Sequence, residues 1–84
     1  MGYVYLMKDG SRFKIGHTNS VGRREAEAAT WLINARIIHD ISTDDPEGVE
    51  RYWHRRFEPK SIEREWFALD AVDVAAFRRW KKII

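Results

Sequence analysis

Tyr3-Val4-Tyr5-Leu6-Met7-Lys8-Asp9-Gly10-Ser11-Arg12-Phe13-Lys14-Ile15-Gly16-His17-Thr18 is the stretch from which the rest of the chain can be read. Two runs of β-forming residues flank Asp9-Gly10, a pair that tolerates positive φ, and this pattern predicts a β-hairpin. A two-residue Asp9-Gly10 turn would set Tyr5 opposite Lys14 and Leu6 opposite Phe13. Side-chain alternation then gathers Val4, Leu6, Phe13 and Ile15 on a core face, with Tyr3, Tyr5, Met7, Arg12 and Lys14 on a second face outside the core. A phenol beside an ammonium suits proton transfer near phosphate, since a neighbouring cation favours the ionised phenol. Tyr and Lys are also ordinary cross-strand partners on an exposed sheet.

Working outward, Asn19 or Ser20 can cap a helix running to about Leu32, with Val21, Ala28, Trp31 and Leu32 on one side. Arg24 falls on that inward side and needs an acceptor. Either Glu27, three residues on, or a ligand phosphate would serve. Ala35 to Ile41 reads as a third strand with Ile37, His39 and Ile41 on one face, His39 being structural. Asp45 and Pro46 open a second helix, which stops before Pro59 and carries the stripe Val49, Tyr52, Trp53 and Phe57. Glu50 sits at the edge of that stripe. It can be solvated, paired with His54 or an arginine, or bound to a metal.

Lys60 to Arg64 reads as a polar loop, and Glu65 to Leu69 as an extended segment whose aromatics cover a core edge. Asp70 begins a last helix, with Asp73 placed for a capping box. Val74, Phe77, Trp80 or Lys81, and Ile84 form its expected buried side. The fold class expected is α+β: a small three-stranded antiparallel sheet flanked by about three helices, in one domain over residues 1–84.

Composition narrows the function classes. Hydrophobic residues make up 44% of the 84, enough for one packed interior. The absence of cysteine excludes a disulfide framework and thiolate metal sites. No apolar run could span a bilayer and no signal-peptide pattern opens the chain, so a cytoplasmic protein with no membrane partner is expected. The net charge is only +2, but the basic residues come in pairs, Arg23-Arg24, Arg55-Arg56, Arg78-Arg79 and Lys81-Lys82. Such pairs interleaved with aromatics suit phosphates and unstacked bases, and any single pair also suits a solvated helix.

Tyr3-Val4-Tyr5, Lys14-Ile15-Gly16, Thr18, Arg24 and a later helix bearing Glu50 together resemble the GIY-YIG nuclease superfamily over roughly residues 2 to 58. Lys14 stands where the second motif usually has tyrosine. In this, and in Trp53-His54-Arg55-Arg56-Phe57 followed by Glu65-Trp66-Phe67, the chain is similar to a branch with phage and restriction-type members. No asparagine follows Asn34, where many members place one near the site's far wall.

The resemblance implies a metal-dependent endonuclease that hydrolyses phosphodiester bonds in DNA with Mg²⁺ or Mn²⁺. By position, Tyr5 would be the general base aided by Lys14, with His17 as a partner in proton transfer or merely a loop residue. Arg24 would stabilise the phosphate and Glu50 would hold the metal. Arg12, Arg23, Arg55 and Arg56 are the expected nucleic-acid contacts, and a homodimer or two visits would cut a duplex. The competing readings are a catalytically inactive nucleic-acid-binding module of the same fold and a protein-interaction domain using exposed Trp residues.

Overall fold

In the computed structural model, which describes residues 1–84, β1 (Gly2–Asp9) and β2 (Arg12–Thr18) form the predicted hairpin. Its register differs from the expected one. Asp9 pairs with Arg12, Met7 with Lys14, Leu6 with Ile15 and Tyr5 with Gly16. The two turn residues are therefore Gly10 and Ser11. Gly10 has φ +62°, as the first central position of such a turn demands, and an Asp9–Arg12 ion pair of 2.9 Å closes it. The slip is two residues, so the side chains keep their faces while every cross-strand neighbour changes. Lys14 is not beside Tyr5.

The sheet has six strands in the order β4-β5-β2-β1-β3-β6. This corrects the three-stranded antiparallel expectation. The three expected strands are its centre, with β3 (Arg36–Thr43) antiparallel to β1. The additions are β4 (Ser61–Glu63), β5 (Trp66–Phe67) and β6 (Lys82–Ile83), of which β6 runs parallel to β3 and makes the sheet mixed. Strands of two or three residues carry no alternation to read; tertiary pairing creates them. The architecture remains α+β, with three α-helices and no helix long and apolar enough to cross a membrane.

Both faces of the sheet are covered. Val4, Leu6, Phe13 and Ile15 meet Trp53 of α2 (Pro46–Arg56), Phe57 at its C-cap and Phe77 of α3 (Ala71–Arg78) in the main core. Trp53 stacks on Phe57 at 5.5 Å and tilts against Phe77 at 4.9 Å, the geometry aromatic clusters favour. Asp45 caps α2 through the Gly48 N–H, and Asp70 and Asp73 form a complete capping box on α3.

On the second face, Tyr5 and Met7 are buried with Ala35 beneath Ala28 and Leu32. That face was expected to lie outside the core, and α1 (Val21–Ala29) covers it. The Glu25 carboxylate of α1 accepts the Ile37 N–H at 2.6 Å and ties the helix to β3. Because α1 ends at Ala29, Trp31 is left 85% exposed instead of joining the inward stripe.

A bulge in β3 breaks the expected Ile37-His39-Ile41 face. Leu6 pairs with His39 but Met7 pairs with Ile37, so Ile38 is the extra residue, and it packs on the main core while Ile37 turns to the α1 side. His39 is structural as expected: its Nε2 lies 2.5 Å from the Trp80 carbonyl and its ring meets Phe77 edge-on. The last helix stops at Arg78, so Trp80 and Ile84 are exposed and the chain turns into β6.

Candidate active site

Gly16 organises the local geometry. It lies opposite Tyr5, and a Cβ there would stand 2.6 Å from the tyrosine Cζ, so only glycine lets the ring lie across β2. His17, the next residue, faces the side of the sheet that α2 covers. Its Nδ1 lies 2.5 Å from Glu50 Oε1 on α2. A carboxylate only accepts, so Nδ1 carries the proton of this bond. The pair joins residues 33 positions apart.

Glu50 also stands 3.7 Å, through Oε2, from His54 Nε2 one helical turn on. That nitrogen donates to the Ile15 carbonyl at 2.7 Å, so His54 buttresses the site from β2. Donor atoms of Glu50, His54 and Glu65 lie within 4.8 Å of one another. With one His54 nitrogen committed to Ile15, the carboxylates of Glu50 and Glu65 are the ligands best suited to a hard divalent cation. The residues present therefore fit such an ion.

Tyr5 is 1% exposed, and burial pushes its phenol up to about 12, Arg24 opposing the shift and Glu65 and Glu50 reinforcing it. The expected help from Lys14 is not what acts on it. Arg24 lines a hollow of about 410 Å³ with His17, Thr18 and Arg23. It also lines a neighbouring one of about 530 Å³ with Lys14, Arg12, Trp31 and Trp66. Its Nε is buried with no hydrogen-bond partner, and Glu27 is 4.0 Å away.

Of the residues singled out in the sequence, Tyr5, His17, Arg24 and Glu50 thus surround the Gly16–His17 segment, and Lys14 reaches it only through the hollow it shares with Arg24. Arg12 is held by Asp9 and stacks 4.0 Å over the Trp66 ring. Arg56 covers Trp53 at 5.2 Å, and Arg55 is exposed on the same helix. Glu65 was not anticipated in the site, and His54 was expected only as one possible partner for Glu50. The four-residue spacing of Glu50 and His54 indicated that pairing, and the two stand 3.7 Å apart. Glu65 arrives only through the pairing of β5 with β2.

A family model, the T5orf172 domain, matches residues 2–84. The chain belongs to that family. The T5orf172 domain is phage-associated, found in nuclease-like proteins, and linked to nuclease and DNA-binding function. No curated protein and no solved structure matches this T5orf172 domain.

Proposed function

We propose that this T5orf172 domain is a metal-dependent endonuclease of the GIY-YIG type that hydrolyses phosphodiester bonds in DNA at the Gly16–His17 segment. The observation that carries this reading is the His17–Glu50 hydrogen bond, formed next to the glycine that Tyr5 crosses and beside an arginine whose Nε has no acceptor. A phenol, an imidazole, a carboxylate and a guanidinium gathered about one strand segment, with the imidazole and the guanidinium lining an open hollow, suit phosphodiester hydrolysis.

Roles follow from the electrostatics. With its phenol near 12, Tyr5 keeps its proton at neutral pH and donates a hydrogen bond; it is not the free base first expected. His17, its proton fixed on the Glu50 side, presents Nε2 as the acceptor for a proton from water. Arg24 neutralises charge growing on the phosphate oxygens. Glu50 Oε2 and Glu65 would hold Mg²⁺ or Mn²⁺, which when bound supplies Lewis-acid stabilisation of the leaving oxygen. Trp31 and Trp66 line the adjoining hollow with Lys14, a setting suited to an unstacked base beside its phosphate.

Incubation of the protein with supercoiled plasmid and Mg²⁺ or Mn²⁺ tests this. Nicking by the parent that is lost in Tyr5→Phe and Glu50→Gln is the expected result. Salt-sensitive binding without nicking by the parent would leave a DNA-binding module of the same fold.

A further inference from the structure

The bulge at Ile38 has an electrostatic result at the far end of the sheet. By resetting the β1–β3 register, it places Arg36 directly opposite Lys8. Like charges in directly opposed cross-strand positions repel and destabilise a sheet, so a chain folded only for stability gains nothing from this pair. Arg78 and Arg79, from the end of α3, line the same open hollow of about 950 Å³, along with Ile38 and Val74. None of the four cations belongs to an ion pair of the chain. The one carboxylate there, Asp70, is already taken by Lys60 and the Asp73 N–H.

We propose that this hollow is a second anion site, distinct from the candidate active site, and that it takes the phosphate backbone of duplex DNA. The choice of DNA among polyanions rests on the function proposed above; the cation cluster does not. Lys8 pairs with Phe13 whereas His17 pairs with Val4, four residues away along β1 and so roughly 13 Å distant. The four cations come from β1, β3 and α3, three elements locked by the core. They form a spread, preorganised surface suited to successive phosphates more than to one small anion. Such a site would hold the duplex while the Gly16–His17 segment engages one strand.

The experiment measures binding of a labelled 30-base-pair duplex by anisotropy across a salt series, with chelator present so that nothing is cut. Arg36→Gln/Arg78→Gln removes two exposed cations with no protein partner. Its Kd is expected to rise at least tenfold on unrelated sequences, with the slope of log K against log salt falling by about 2. Arg36→Lys/Arg78→Lys should restore most of both.

A parent-like Kd and slope in the Gln variant would overturn the proposal. So would a parent that ignores duplex DNA, or one from which polyglutamate displaces DNA at equal charge. A parent that binds with a steep salt slope lost in the Gln variant, yet never nicks plasmid, would defeat the nuclease reading and leave this site standing. In a nicking parent, the Gln variant should raise KM and keep kcat.

Discussion

Two charged clusters in this small chain use similar side chains and end in opposite conditions. At the start of α3, Lys60 donates to both Asp70, at 2.9 Å, and Asp73, while each aspartate accepts the other's backbone N–H. Every charge there is answered. Around Gly16, Glu50 answers His17, yet its second oxygen has only a distant His54, and the Arg24 Nε has no acceptor. A closed network stabilises the element that carries it. An open one holds unsatisfied groups ready, which is worth its cost only when a ligand completes it.

The largest predicted effect breaks the open cluster chemically. Glu50→Gln keeps the shape of the side chain but removes its charge, and plasmid nicking should fall by about 10³-fold. His17→Ala should lower it by about 10²- to 10⁴-fold. The thermal midpoint of either variant should stay near that of the parent. A parallel loss of stability and nicking would mean that the Gly16 cluster is structural after all and that the contrast with Lys60 is false.

Gly16→Ala sharpens the same contrast sterically. The added methyl must displace the Tyr5 ring, which is packed against Met7 and Ala35. Crowding of this kind costs about 1–3 kcal/mol, measurable by urea denaturation, and nicking should fall with it. An unchanged midpoint would show that the ring can move aside freely.

How far the sequence reveals these clusters depends on how local each signal is. The hairpin, the caps at Asp45 and Asp70, and the α+β class rest on spacings of two to four residues, and the chain obeys them. The register fails because Gly10, with its freedom at positive φ, takes the first central position of the turn. Since that slip is two residues, parity survives and the faces are still right. The buried second face, β4 to β6 and the Ile38 bulge arise from packing across the sheet, which no local window contains. At the site, Tyr5, Arg24 and Glu50 could be ordered by resemblance to a family, and His54 by helical spacing. The long reach of His17 to Glu50 and the arrival of Glu65 needed the fold.

Alkali should separate the clusters through Tyr5. Its phenol ionises near 12 in the folded chain, against 10.0 ordinarily, so the folded state favours the neutral form. Below pH 10 this adds no pH dependence. Between about 10 and 12 the unfolded chain gains from ionising while the folded chain does not, and roughly 2–3 kcal/mol of stability should be lost. Tyr5→Phe should flatten this part of the profile, as followed by denaturant midpoints. An unaltered alkaline slope in the variant would show that the phenol is wetter than its burial implies.

The smallest effect belongs to the closed cluster and runs the other way in pH. The Asp73 N–H and the Lys60 ammonium hold the Asp70 carboxyl down to about 2, from 3.8 ordinarily. Its stabilisation is complete above the ordinary carboxylate range and disappears as pH falls through about 2. Because Lys60 and Asp70 are solvated, screening keeps the contribution small, and salt should reduce it further. Lys60→Ala should therefore lower the acid-side midpoint slightly and shift its pH dependence upward, while nicking stays at the parental rate. That asymmetry is the sharpest form of the contrast: removing a charge from the closed network should change only stability, and removing one from the open network only chemistry. A Lys60→Ala variant that folds as well as the parent but no longer nicks would reverse the assignment of the two clusters.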